Sequence, residues 1–297
     1  MNLPKNISEK LISKISLLKR RGLRRNFLSA AVFVALLLLL IVVFLPTLWG
    51  LSTSFKYEDD VFETITSFFP KRWTLTNYSE VFSNPYTPIL RWFFNSVKIV
   101  VTYVFLYLLI TSLASFGFTR LRFKGRETLF WICLSSMMVP GVINMIPNYA
   151  IIYRLNLIDN MFAMVLPGLS GVFGVFLLRQ FMTGIPREYD EAAKIDGAGK
   201  FRIYFHIILP MCVPALVTLA IFSFQGNWND YIWPLMVTNQ PETRTLTAGM
   251  STFIERYTHQ YGKLMAGAMA SAIPVLLVFL VGQKYFIRGI SIGGIKG

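Results

Sequence analysis

The sequence predicts an all-α polytopic membrane protein with six transmembrane helices, and three observations carry that prediction. Of its residues, 54% are hydrophobic, 15% aromatic and only 15% charged, with a mean hydropathy of +0.53. That balance lies outside the soluble globular range. Six windows are free of Asp, Glu, Lys and Arg and are long enough to cross about 30 Å of hydrocarbon: Phe27–Phe55, Ile99–Thr119, Thr128–Tyr153, Asn160–Leu178, Ile203–Asn229 and Leu264–Gln283. Finally, the net charge of +14 sits on one side. Basic residues crowd the N-terminal tail, the loop Arg120–Glu127, the segment Arg179–Arg202 and the C-terminal tail. The alternate loops Lys56–Lys98, Arg154–Asp159 and Asp230–Lys263 are balanced. This positive-inside pattern predicts both termini to be cytoplasmic and leaves no charge that needs nucleic acid to explain it. High apolar content, only two cysteines and no three-residue glycine period exclude disorder, a disulfide scaffold and a collagen-like fibre.

Taken in order, residues 1–26 read as a basic cytoplasmic tail. Lys19, Arg20, Arg21, Arg24 and Arg25 precede the first apolar run as they would in a secretory signal. The run from Phe27 to Gly50 exceeds the about 7–15 residues of a signal core, and no small-residue cleavage pattern closes it. It predicts a retained first helix over 27–50. Residues 51–94 then form an extracytoplasmic loop, 95–286 a core of five further spans, and 287–297 a second cytoplasmic tail.

Prolines recur within the spans at positions such as Pro46, Pro140, Pro147, Pro167, Pro210, Pro214 and Pro274. Each removes a backbone donor, which suits kinked helices around a watered path, although proline is also simply common in membrane helices. Gly168, Gly171 and Gly174 in the fourth span, and Ala266, Gly267 and Ala270 in the sixth, offer small faces for helix packing. Cys133 and Cys212 fall inside spans and read as small buried hydrophobes.

The segment 184–210, GIPREYDEAAKIDGAGKFRIYFHIILP, is too polar to span. Pro186 suits a first helical turn, and Glu188, Asp190 and Glu191 suit the positive end of the dipole. Asp190 and Lys194 are spaced as an i, i+4 pair, while Gly197 and Gly199 offer a stop. The result is a short helix of about three turns. Ala192, Ala193 and Ile195 give it small and apolar surface. A plain connector and a helix that docks on a partner both fit that pattern.

These same residues carry a resemblance. Glu191-Ala192-Ala193, three residues, Gly197, nine residues, Ile207, one residue, Leu209-Pro210 is similar to the E-A-A-x3-G-x9-I-x-L-P motif of permease subunits in binding-protein-dependent ABC importers. The runs Asn227-Trp228-Asn229-Asp230-Tyr231 and Lys284-Tyr285-Phe286-Ile287-Arg288-Gly289 resemble the carbohydrate-uptake branch, and within it the maltose-type six-helix permease. The resemblance implies a type I importer fold in a bacterial plasma or inner membrane. It also implies that 184–210 is a coupling loop, with Glu191, Ala192, Ala193, Asp196 and Gly197 facing a cytoplasmic ATPase dimer. The partners it implies are that ATPase, which would hold ATP and Mg, a second permease, and an extracytoplasmic solute-binding protein.

No cofactor is expected on this chain itself. The nearest phosphate-loop decoy, Gly197-Ala198-Gly199-Lys200, has Lys194 at the first glycine position and Phe201 in place of the hydroxyl residue. His206 and His259, the only histidines, are far apart in sequence and support neither a metal site nor an acyl-transfer triad. No paired carboxylates stand at membrane depth, which argues against a membrane-embedded enzyme.

Polar residues near the bilayer point to a solute path. Asn144 and Asn148 are spaced i, i+4 in the third span; Asn227, Trp228 and Asn229 crowd the outer end of the fifth. Amides and aromatic faces suit hydroxyl-rich sugars, and the same residues also suit an interfacial belt and helix cross-links. The loop Lys56–Lys98 mixes Glu58, Asp59, Asp60 and Glu63 with Trp73, Tyr78 and Tyr86, a surface that fits either a docking partner or an ordinary outer loop. The function expected is therefore a sugar-importing permease subunit. Import of another solute, such as a phosphorylated polyol, is the alternative, and a secondary transporter ranks below both.

Overall fold

A computed structural model describes the backbone of residues 5–63, 68–256 and 260–293, and the side chains of residues 29–61, 68–251, 256 and 260–283. His259 and the last four residues of the C-terminal tail lie outside these ranges. Within them the chain is helical, with no strand. The helices in order are α1 (Lys5–Ser54), α2 (Glu58–Glu63), α3 (Thr76–Ser83), α4 (Ile89–Arg120), α5 (Arg126–Ser135), α6 (Met145–Arg154), α7 (Met161–Val165) and α8 (Val172–Thr183). There follow α9 (Glu188–Ile195), α10 (Lys200–Ile203), α11 (Leu209–Met211), α12 (Val213–Trp228), α13 (Ile232–Val237), α14 (Leu246–Arg256) and α15 (Tyr261–Gly293).

Among the described residues three helices are long and apolar enough to cross a membrane alone: Ser29–Ser54 within α1, Ile89–Arg120, and Tyr261–Gln283 within α15. The other three predicted spans, whose prolines suit kinked helices, are each broken. Arg126–Met138 and Gly141–Arg154 meet at 94°, Met161–Ser170 and Val172–Thr183 at 48°, and Lys200–Met211 and Val213–Trp228 at 76°. Each break has a local cause. Val139 is forced into extended backbone before Pro140 (φ −81°, ψ 119°). Gly171 takes a left-handed φ of +51°. At the third break Cys212 leaves helical geometry (φ −86°, ψ 1°), and Pro214 just after it cannot donate to the Pro210 carbonyl; a widened π turn over Tyr204–Ile208 lies upstream. The i, i+4 relation expected for Asn144 and Asn148 is also altered, because Asn144 closes a 3₁₀ turn before α6 begins.

Helix α4 is the mast of the bundle, and it starts ten residues before the predicted window because Arg91 and Lys98 sit on its exposed side. α8 packs along it closely. A Cβ built on Gly171 would come within 2.5 Å of the Thr111 methyl, and one on Gly174 within 2.9 Å of both Thr111 and the Tyr107 hydroxyl. The glycines in the fourth span are thus there for close approach. Ser115 donates across the contact to the Val175 carbonyl (3.0 Å), so the buried hydroxyls of α4 are satisfied by backbone.

The predicted outer loop 51–94 holds two short helices and the start of α4. The Glu58 carboxylate accepts from the Tyr261 and Gly262 amides (2.7 and 3.1 Å) and so caps α15, and Asp60 pairs with Arg72 at 3.0 Å. Tyr78 shares a hydrogen bond with Ser54 at 2.8 Å. Of Trp73, Tyr78 and Tyr86, the first and last remain exposed. The Glu63 side chain lies outside the described ranges.

Candidate functional site

Helix α9 stands at the end of the bundle where α4 terminates. It is two turns long, shorter than predicted, because Pro186 lies ahead of its N-cap Arg187 instead of in its first turn. Its end is a Schellman turn. Ala198 donates to the Ala193 carbonyl (2.8 Å), Gly197 donates to the Lys194 carbonyl (3.0 Å), and Gly197 holds φ +78°. Gly199 is extended and opens α10, so only Gly197 serves as the stop.

The helix has two faces. Ala193 turns inward and is buried with Ile185, Ile203, Tyr204 and Ile208, and its small side chain lets α9 lie close to the π turn. Glu191, Ala192 and Asp196 turn outward. Beside them Ile195 is 87% exposed and Phe201 75% exposed.

One anchor of this loop was not anticipated. Arg120, the last residue of α4, is buried, and its Nε lies 3.3 Å from Asp190 Oδ2. Its Nη2 also donates to the carbonyls of Met182 (3.2 Å) and Ile185 (2.9 Å). Asp190 therefore pairs with Arg120 and not with Lys194. Spacing within one helix offered Lys194; a partner some seventy residues away leaves no local trace in the sequence. Nearby, Ser112 and the buried Tyr204 share a hydrogen bond of 2.7 Å, joining α4 to the π turn.

A family model described as the inner membrane component of binding-protein-dependent transport systems matches residues 27–292. The chain belongs to that family. Among curated relatives, it is 34% identical over 271 residues to a probable ABC transporter permease of Bacillus subtilis, covering 91% of this chain and 89% of the relative. It is 35% identical over 228 residues to the arabinooligosaccharides transport system permease of the same organism, covering 77% and 81%. With the lactose transport system permease of Rhizobium radiobacter the identity is 34% over 220 residues, covering 74% and 80%. The fold is that of a chain in a solved bacterial ABC transporter involved in alginate import, with a TM-score of 0.79 at 22% identity over 88% of this chain and 97% of that one.

In this ABC permease fold the residues expected along a solute path fall into two groups. Asn144 is exposed and Asn148 half-buried on one side of the 94° break; Asn227 is half-buried and Asn229 exposed at the end of α12. None of these four side-chain amides has a hydrogen-bond partner within the described residues, and no hydrogen bond joins the two groups. Trp228 differs from them. It is 3% exposed, stacks on Phe224 at 5.5 Å, meets Phe93 edge-on at 6.0 Å, and donates to the Ser271 carbonyl at 3.4 Å. Those contacts make it the packing post behind Asn227 and Asn229. Asp230 follows, where burial pushes its carboxyl up and the Trp233 and Tyr231 amides partly offset that.

A second clamp that sequence reading missed is Asp159. Its Oδ1 accepts from the Asn239 amide (2.7 Å), the Gln240 amide (3.0 Å) and the Thr243 hydroxyl (2.8 Å). Burial pushes this carboxyl up, but those donors outweigh it and hold its pKa below the ordinary carboxylate value. Among the described residues no group of three or more His, Cys, Asp or Glu side chains could hold a metal ion.

Proposed function

We propose that this chain is a membrane-spanning permease subunit of an ATP-driven importer that takes up a sugar or oligosaccharide handed over by a solute-binding protein. It crosses the cell membrane six times with both termini in the cytoplasm, each broken helix pair counting as one crossing. It pairs with a second permease and rests on a cytoplasmic ATPase dimer, where ATP and Mg are bound and hydrolysed; this chain carries no reaction of its own. The observation that carries the reading is α9: a short helix, closed by a Schellman turn at Gly197, with Glu191, Ala192, Ile195 and Asp196 presented outward. Ala193 holds that helix down from within.

The sugar class is supported by relatives whose names give arabinooligosaccharides and lactose as their cargo. The unpaired amides of Asn144, Asn148, Asn227 and Asn229, the last two braced by Trp228, are the hydrogen-bonding groups we assign to the path. A mild-detergent pull-down of the tagged chain tests the coupling reading. Wild type is expected to recover an ATPase and a second permease. The double variant Glu191→Lys with Gly197→Pro is expected to lose the ATPase while keeping the permease, because proline cannot adopt the left-handed φ at Gly197. Wild type emerging alone and stable under every condition would overturn the importer reading.

A further inference from the structure

The anchor at Arg120 does more than fasten a loop. Two ionised side chains have been taken out of water here, with exposures of 5% for Arg120 and 10% for Asp190. Such a pair contributes to stability only when the remaining donors and acceptors are satisfied. In this pair they are not: Arg120 Nε and Asp190 Oδ1 are both buried without a hydrogen-bond partner, so the 3.3 Å contact is an ion pair off hydrogen-bond geometry. Beside them lies a cavity of about 350 Å³, lined among others by Phe116, Glu191, Lys194, Lys200 and Ile203. An incompletely satisfied buried pair next to free volume has somewhere to move.

The same guanidinium is also the meeting point of three elements. It belongs to α4, it holds the Met182 carbonyl at the end of α8 and the Ile185 carbonyl of the following turn, and it faces Asp190 on α9. Arg187, at the start of α9, adds a weak contact to the Thr119 carbonyl at 3.4 Å. Displacing α9 therefore pulls on α4 and α8 at one point. We propose that Arg120 and Asp190 form a positioning joint that passes displacement of α9 to α4 and α8. The pair is tuned for rearrangement more than for static stability. The inference rests on the coupling reading above and assigns the residues that link α9 to the membrane helices.

Hydrogen–deuterium exchange on the complex isolated through the tagged chain tests it, with and without trapping by ATP and vanadate. Trapping the wild-type complex is expected to alter exchange in 188–203 and also in 111–120 and 172–185. In Asp190→Asn the change in 188–203 persists, while the change in 111–120 and 172–185 shrinks at least about threefold, and Asp190→Glu restores it. Arg120→Lys, which keeps the charge and loses the fork, is the independent second variant and is expected to behave like Asp190→Asn. Wild-type-sized changes in α4 and α8 in Asp190→Asn or Arg120→Lys would overturn the joint. So would raised exchange throughout these segments without nucleotide, since that is the signature of a merely structural contact. An absence of any ATPase from the wild-type complex would instead overturn the importer reading, a result the joint's own failure does not produce.

Discussion

Gly197 is the residue where the coupling loop is most sensitive to a single atom. Its φ of +78° disfavours any L side chain, yet a Cβ built there meets nothing within 4 Å. The penalty for Gly197→Ala is therefore conformational alone, about 1 kcal/mol, and Gly197→Asn costs less because asparagine tolerates the left-handed region. Amide exchange at position 197 and at Ala198 is expected to rise more in Gly197→Ala than in Gly197→Asn. At Asp159 backbone and side chain both matter: its φ of +61° also disfavours alanine, and its carboxylate gathers a loop. Three donors converge on Oδ1, and Asp159→Ala removes that acceptor; water can serve the two exposed amides, so the lost hydrogen bonding costs about 0.5–1.5 kcal/mol. The pH dependence follows from the depressed pKa. Because the carboxyl ionises more readily folded than unfolded, its contribution is fully present above the unfolded value of about 3.9 and is lost as pH falls through the lower folded value. Thermal melts should thus separate wild type from Asp159→Asn at neutral pH and bring the two together as pH falls through the lowered folded value. A gap unchanged by acid would show that the charge has no part in the clamp.

At the scale of elements, the contact of α8 with α4 makes the sharpest prediction. Gly174→Val drives a branched side chain into Thr111, Tyr107 and Leu219, where even a Cβ would sit at 2.9–3.1 Å. Overpacking of this kind costs about 1–3 kcal/mol. Gly184→Ala is the matched control, with φ −74° and nothing closer than 3.4 Å, and is expected to leave the melting temperature unchanged. The packing role of these glycines was legible in the sequence, because small residues at helical spacing within an apolar run let helices approach closely; the left-handed φ of Gly171 was not. The unbroken spans were legible for the same kind of reason: α4 and α15 contain charge-free runs, Ile99–Thr119 and Leu264–Gln283, about as long as hydrocarbon is thick. The broken spans were legible only in part. Pro140, Pro210 and Pro214 announced interruptions, but the 94° and 76° angles depend on how the freed carbonyls are satisfied by neighbours, which one helix's sequence does not contain. Within the site, Gly197 declared its role through residue type. Ala193 did not, since adjacent alanines look identical until the helix is set against Ile203 and Ile208. Arg120 and Asp190 were invisible as a pair because the contact bridges distant segments.

For the whole molecule, the question is whether each bent pair crosses the bilayer or turns back within it. Contacts at the two ends of α4, about 48 Å apart over 32 residues, support crossing. At the Ile89 end, Trp92 donates to the Pro241 carbonyl (2.7 Å) and Asn95 to those of Glu242 (2.8 Å) and Arg244 (3.0 Å). Asp159 is tied to that same stretch through Asn239, Gln240 and Thr243, so the loop between α6 and α7 belongs to this end. At the Arg120 end, Arg126 donates to the Leu121 carbonyl (3.2 Å), Glu127 pairs with Arg179 (2.7 Å), and Arg120 holds Met182 and Ile185. The chain from Arg126 to Arg154 thus begins at one end of α4 and finishes at the other, despite its 94° bend, and the chain from Met161 to Thr183 returns. Re-entrant loops would have brought each pair back to the end from which it set out. Single cysteines in a Cys133→Ala, Cys212→Ala background make this measurable. A membrane-impermeant maleimide applied to intact spheroplasts is expected to label Trp73→Cys and Leu155→Cys. Lys124→Cys, exposed in the chain like the other two sites, is expected to react only after permeabilisation. Labelling of Leu155→Cys together with Lys124→Cys, and apart from Trp73→Cys, would make the Arg126–Arg154 pair re-entrant. It would also place an odd number of crossings between the two tails, separating termini that the distribution of basic residues assigns to one side.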